Sequence, residues 1–453
     1  MRLTFQGVVL VLSVILVACT HRSPATRAGA SAARDSSPNY AIQQAYRDSV
    51  ERATVGRFLA EYQRRARPFQ QAGNYLGEMQ LVRELAAKYP DSKSVRDMSM
   101  QQLGTFASFL GDQAEAIRLF DALVDDAPAP PADTALLAQL HVADAVETIS
   151  GAADSARVIF INEAHHVPQT RLLTLALLEP LRARGFTHLA AETLSPFDSS
   201  LNARDYPVRA SGYYSNESLC GEVLREARRL GYVLVPYEAM GSTSQDARET
   251  GQATNLRDRI FRDRPDARVL VHAGYSHIDE SGTLAGAKPM AVRFRELTGI
   301  DPLTVDQTSM YERSSRAREH PIYRHVVDRA VRTTPFVLVG AEGRPWTNRP
   351  GVHDVTVFLP RTQLRDGRPD WLWRAGARHP YVVRGASCSG HEVCVVSARL
   401  EVESAEAVPR DVVLLRPGDA GHTLSIPAGR YVITIRDPVG TVLSDTTVTV
   451  PSR

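Results

Sequence analysis

An excess of one charge and the common nucleotide signatures are what this sequence lacks, and cysteine is scarce. Its 53 Lys and Arg nearly cancel its 51 Asp and Glu, so the broad cationic face of a nucleic-acid-binding protein is missing. Only four cysteines occur in 453 residues, which excludes a disulfide-framework protein and the paired cysteines of a zinc ribbon. No Gly-x-x-x-x-Gly-Lys-Ser/Thr loop is present, and no Gly-x-Gly-x-x-Gly follows the first expected strand. The usual phosphate cradles are thereby excluded. Nor is there a Gly-x-Ser-x-Gly elbow, a His-Glu-x-x-His helix or a Cys-x-x-Cys-His haem attachment. What remains, 43% hydrophobic and 23% charged residues, is ordinary globular composition with room for about three domains.

The amino terminus carries an address. Val8 to Ala18, broken only by Ser13, ends in Leu16-Val17-Ala18-Cys19. This run is short for a bilayer-spanning helix and reads as an export signal over residues 1–18 closing in a lipobox, with a single-pass anchor as the alternative. Residues 19–40 then form a flexible tether lipidated at Cys19, each buried acyl CH₂ adding about 0.8 kcal/mol of membrane attachment. No aspartate follows Cys19. The expected destination is the bacterial outer membrane, lipid-anchored and facing the periplasm or the surface, with the bilayer as a partner. In an exported protein Cys388 and Cys394, bracketing Ser-Gly-His-Glu-Val, form a plausible small disulfide loop. Cys220 reads as a buried small hydrophobe.

Along the chain the grammar changes twice. Residues 41–150 read as helices: Tyr46, Val50, Ala53, Phe58 and Tyr62 recur mostly at three- and four-residue steps, and Leu103 to Val124 resembles one tetratricopeptide-type hairpin with small residues where helices approach. Thr134 to Ile149 is expected to continue as an amphipathic helix. This region is a scaffold or a lid. From 151 to 340, short apolar runs at Arg157–Ile161, Thr187–Ala191, Tyr232–Pro236 and Ala267–Ala273 alternate with helices at Gln169–Arg184, Ser218–Arg229 and Arg248–Arg262. The expected fold is α/β, a largely parallel sheet flanked by helices. From 341 to 453 strands dominate, giving a small antiparallel β module, although Val352–Leu359 also fits the α/β domain. Arg313 to Arg332 reads as a solvated helix.

Ligands of open α/β sheets bind beyond the carboxyl ends of the strands. The four expected strands end at Glu163-Ala164-His165-His166, at Glu192, at Tyr237-Glu238 and at Gly274-Tyr275-Ser276-His277. Carboxylates and histidines would therefore meet on one rim. His165, two residues after Glu163, points the same way as Glu163 in extended chain; two adjacent histidines cannot share one point, which leaves His166 structural. His272 falls inside its strand. Arg248 and Asn255, seven apart, share a helix face, and Arg248 either clamps an anion or holds a glutamate.

These residues resemble a known pattern. Asn162-Glu163-Ala164-His165, Glu192, Arg248-Glu249 with Asn255, and Gly274-Tyr275-Ser276-His277 are similar to the motifs of the erythromycin esterase-like and ChaN-like superfamily. That group includes macrolide esterases, haem-uptake lipoproteins, TraB/TIKI-type proteases and a toxin domain. Its first motif usually reads Gly-Glu-x-His, and Asn162 replaces the glycine here. The resemblance, over roughly residues 155–310, implies that Glu163 and His165 work on water, with Glu192, Arg248 and His277 completing the catalytic set.

Three functions stay open at this stage. The first is hydrolysis of an ester, lactone or amide in a small-molecule or peptide substrate, His165 acting as general base and Arg248 and His277 facing the oxyanion. A metal variant would place Zn or Mn on Glu163, His165, Glu192, Glu238 and His277. The second is haem or metal binding without turnover, with Tyr275 or His277 on the iron and Tyr206, Tyr213, Tyr214 and Tyr237 lining the pocket. The third is an envelope interaction protein whose rim has lost activity.

Overall fold

The computed structural model of the chain describes residues 38–124, 131–388, 390–418 and 422–452. The export signal and Cys19 lie outside them, and the last three tether residues already belong to a helix. No described helix is long and apolar enough to cross a membrane.

Among the described residues four helices come first: α1 (Pro38–Ala72), α2 (Tyr75–Ala86), α3 (Lys93–Phe109) and α4 (Gln113–Asp121). Side-chain caps start three of them, since Asn74, Ser92 and Asp112 accept from the backbone N–H of Gly77, Val95 and Glu115. Tyr62, Leu85, Val95 and Phe106 fill the space between them. The expected close approach in the α3–α4 hairpin is present, for a Cβ on Gly104 would lie 2.6 Å from the Phe120 ring.

The single helix expected over Thr134–Ile149 is instead divided. It breaks into α5 (Thr134–Leu137), strand β1 (His141–Asp144) and α6 (Ala145–Ala152). Asp144 ends the strand and caps α6 by accepting from Glu147 N–H. The strand pairs antiparallel with β7 (Phe336–Val339), His141 opposite Val339. Local periodicity carries no record of so distant a partner.

An eight-stranded sheet in the order β1-β7-β8-β6-β2-β5-β3-β4 forms the centre. Its strands are β2 (Val158–Glu163), β3 (Phe186–Ala191), β4 (Val233–Pro236), β5 (Arg268–Gly274), β6 (Leu303–Met310) and β8 (Val355–Phe358), with β1 and β7 at one edge. From β8 to β4 every neighbouring pair is parallel, and β7 runs antiparallel to β8. Helices α7 (Gln169–Ala183), α8 (Leu201–Arg204), α9 (Ser218–Arg229), α10 (Gln245–Leu256), α11 (Met290–Thr298) and α12 (Pro321–Val327) complete this body. Alternation sorts the side chains between the sheet's two faces. Ile159, Ile161 and Leu270 pack against Leu173, Leu177 and Leu224 of α7 and α9, while Phe160, Val269 and Val271 pack against Leu256, Met290 and Phe294 of α10 and α11. Because β8 is a member, the α/β body runs past Gly340 to at least Phe358. The solvated helix expected over Arg313–Arg332 shrinks to α12, whose Tyr323 is fully buried.

The remaining strands are β9 (Leu364–Arg365), β10 (Arg368–Pro369), β11 (Arg378–Val383), β12 (Cys394–Leu400), β13 (Asp411–Leu415), β14 (His422–Pro427), β15 (Gly429–Arg436) and β16 (Val442–Val450). All their pairings are antiparallel. Val396, Leu424, Ile426 and Ile433 share one small core. Cys388 and Cys394 form a disulfide with a Cα–Cα distance of 5.8 Å, and Cys220 is a buried free thiol.

Candidate functional site

Register explains why sequence-distant polar groups meet. β5 lies between β2 and β3, and in the parallel ladders Glu163 stands opposite Gly274 while Ala191 stands opposite His272. The exits of three strands are therefore neighbours at one end of the sheet, the position where open α/β folds bind ligands.

Glu163 and His165 make the first half of the cluster. His165 Nδ1 lies 2.8 Å from Glu163 Oε1. With an ionised carboxylate as its partner Nδ1 carries the proton, which leaves Nε2 as the basic nitrogen. No described residue hydrogen-bonds that Nε2. The Tyr214 ring stacks on His165 at 3.7 Å and Tyr275 meets it edge-on at 5.1 Å. Tyr275 has a φ of +45°, a left-handed backbone that costs a bulky residue of order 1–3 kcal/mol. Gly274 is needed for space, since a Cβ there would sit 2.5 Å from His165 Cε1 and 2.6 Å from Nε2.

Arg171, from the first turn of α7, was not singled out in the sequence, yet it organises this half. It has 0% exposure. Its Nε donates to Glu163 Oε2 at 2.7 Å, Nη2 donates to Glu163 Oε1 and to the His165 carbonyl at 3.2 Å each, and Nη1 donates to Glu217 Oε2 at 3.1 Å. Burial pushes the Glu163 carboxyl up, but Arg171, His272 and His165 outweigh it and hold the group well below the usual carboxylate range. Glu217 goes the other way: burial wins over Arg171 and two backbone N–H groups, and its carboxyl is raised. His272 is buried as expected, but its Nε2 ends 3.7 Å from Glu163 Oε2.

The second half centres on Arg248. Its Nη2 donates to Glu192 Oε1 at 2.6 Å and to Glu238 Oε2 at 2.5 Å, and its Nε to Glu238 Oε1 at 3.0 Å. Nη1 lies 2.9 Å from His277 Nε2. His277 Nδ1 sits 2.8 Å from Glu249 Oε1, and Glu192 Oε2 accepts from Gly274 N–H at 2.5 Å. Burial raises the Glu192 carboxyl, while His277, Arg248, His165 and the Gly274 N–H together bring it below its ordinary value. For His277, burial pulls down and Glu249 and Glu192 pull up, with a net rise. An Arg248 N–H aimed at Nε2 requires the neutral ring, so the charge state of His277 decides whether that contact survives. Asn255 shares the helix face as expected but binds backbone, donating to the carbonyls of Tyr237 and Glu238 at 3.0 and 3.3 Å.

Glu163, His165, Glu192, Glu238, Arg248 and His277 are thus brought together, and His166 parts from them. His166 stacks on Phe120 of α4 at 3.7 Å and has Nδ1 3.1 Å from the Tyr275 hydroxyl. Burial, then Arg313, His165 and Arg171, push its pKa well down. Tyr213 packs on Phe109 and hydrogen-bonds Gln102. The N-terminal helices consequently cover this end of the sheet. Among the four tyrosines expected to line a pocket, only Tyr214 touches a ring of the cluster. Tyr237 is buried beneath it, donating to the His272 carbonyl at 2.9 Å, and Tyr206 accepts from Ser404 N–H at 3.1 Å.

Asn162, the departure from the glycine of the resembled motif, has a structural task. Its side-chain N–H groups donate to Asp306 Oδ1 at 2.8 Å and to the Tyr275 carbonyl at 3.1 Å, and its Oδ1 accepts from Gln307 N–H at 2.6 Å. It ties β2 to β6 where the β6–β8 register shifts.

The metal expectation does not fit these residues. Among the described residues no group of three or more His, Cys, Asp or Glu is disposed to hold a metal ion. Guanidinium groups take the oxygens of Glu163, Glu192 and Glu238, and both nitrogens of His277 are engaged. The same engagement leaves His277 no nitrogen for haem iron, and the Tyr275 hydroxyl faces His166.

No family model matches this chain, and no curated protein does. Two solved structures are similar to parts of it. One, described as the structure of the type III effector HopBA1, shows 15% identity over 43% of this chain and 94% of its own, with a TM-score of 0.27. The other, described as "Bacterial protein toxins", shows 14% identity over 53% of this chain and 57% of its own, with a TM-score of 0.31. Superpositions this loose carry no argument about the chain's activity.

Proposed function

We propose that this chain is a membrane-anchored hydrolase of esters, lactones or amides, a member of the erythromycin esterase-like and ChaN-like superfamily held on the outer membrane through Cys19. The observation that carries the reading is the 2.8 Å Glu163–His165 contact, which fixes the tautomer and leaves Nε2 basic. In the proposed step, Nε2 takes a proton from water as the water oxygen bonds to the carbonyl carbon. Glu163, kept ionised by Arg171, stabilises the imidazolium, which then gives its proton to the leaving oxygen or nitrogen. Arg248 serves the oxyanion by exchanging one of its N–H contacts with Glu238 for the substrate oxygen. Tyr214 must move off the His165 ring to admit substrate.

A second reading, an envelope interaction protein without turnover, draws on a different observation: every rim carboxylate already has a partner and Tyr214 covers His165. One experiment separates the two. The purified full chain is screened against esters, lactones and peptides, with and without chelator, beside His165→Ala. Loss of about 10²-fold or more in rate in the variant is the expected result. Equal turnover in both would reject His165 as the base, and no turnover in either favours the second reading.

A further inference from the structure

Behind Arg171 and Glu217, all three parts of the chain meet around a cavity of about 30 Å³, where roughly 10–15 Å³ suffices for one water. Its lining includes Ser108 and Gln113 from the helical layer, Glu217 from the α/β body, and Arg368, Arg410 and Asp411 from the β module. Buried polar groups normally find partners. Here, among the described residues, Arg368 Nε, Arg410 Nε and Gln113 Nε2 have none, and neither do Gln113 Oε1 and Ser108 Oγ.

The unmet groups are mostly donors. Both lining acids are already satisfied: Asp411 accepts from Arg368 Nη2, Val412 N–H and Ser425 N–H, and Glu217 from Leu219 N–H, Cys220 N–H and Arg171. With Arg378 Nη2, which also lacks a hydrogen-bond partner, four unmatched N–H donors, three of them on guanidinium groups, belong to residues lining a space with one unmatched obligate acceptor. Water gives as many hydrogen bonds as it takes, whereas chloride only accepts and phosphate accepts more than it gives. We infer that this junction binds a small inorganic anion, chloride or phosphate in size, held by Arg368, Arg410 and Gln113. The anion clamps the helical layer and the β module onto the α/β body beside Glu217, the residue that backs Arg171.

The test compares melting of the full chain in sodium chloride, sodium phosphate and sodium gluconate at matched pH and ionic strength. A melting temperature about 3 °C or more higher in chloride or phosphate than in gluconate is expected, and the salt that acts identifies the ion. In Gln113→Glu, which supplies its own negative charge, that difference should vanish. Equal melting of the parent in all three salts, or an equal difference in parent and variant, would overturn the inference. Crystals grown in the salt that acts, with bromide standing in for chloride, give a second readout independent of the variant's folding: an anomalous bromide peak or phosphate density in the cavity supports the site, and water alone there rejects it.

Discussion

Arg171 is the residue on which the Glu163 half of the cluster turns, because its buried charge faces two carboxylates at once. Arg171→Met would leave Glu163 and Glu217 buried with their main counter-charge removed, and a loss of about 3–5 kcal/mol in urea unfolding is expected. The pH dependence follows from the depressed Glu163 carboxyl. Its stabilising contribution is complete above the unfolded value near 4.3 and disappears as pH falls through the lower folded value. Glu163→Gln should therefore flatten the acid limb of stability against pH, and an unchanged limb would show that other groups set it. Gly274→Ala tests packing at the same point. Its Cβ would press on the His165 ring, so a cost of about 1–3 kcal/mol is expected, with a fall in any turnover that depends on His165. The cluster was legible because strand ends announced themselves as polar residues after apolar runs. Arg171 was not, since an arginine in a leucine-rich helix reads as an exposed charge until the loop that it faces is known.

Elements were readable where burial made them uniform. β2, β3, β4 and β5 are each built on a short apolar run, and that signal survives without a partner. β6 reads Leu-Thr-Val-Asp-Gln-Thr-Ser-Met; its polar residues answer Asn162 and have no pattern of their own. β1 is four residues long, and β14 is a six-residue strand whose neighbour β11 lies far upstream, so pairing, and not propensity, creates both. The disulfide is local and was visible from spacing. It closes a loop of six positions, for which chain entropy gives roughly 2 kcal/mol. Reduction should lower the stability of the β module by about that amount, read as a shift in denaturant midpoint between reducing and oxidising buffers. No shift would mean that the module's core alone carries it.

At the scale of the whole molecule, the helical layer lies over the end of the sheet that carries the ionisable cluster. Phe120 on His166 and Tyr213 on Phe109 are its contact points. Phe120→Ala should expose His166 to diethyl pyrocarbonate, with the modified histidine identified by mass spectrometry. Equal labelling of parent and variant would mean that other residues provide the cover. The order of helical region, α/β body and β module was readable from hydrophobic periodicity, but their mutual seating was not, because no local pattern encodes it. Strand β1 gives that seating a temporal meaning. Among the described residues it pairs with β7 alone, made from chain that emerges much later. During synthesis the leading helices can assemble early and meet His166 and Tyr213, yet β1 can join the sheet only once Phe336–Val339 is available. A fragment stopped before that point would carry an unpaired ribbon open to strangers, which makes late truncation a route to aggregation.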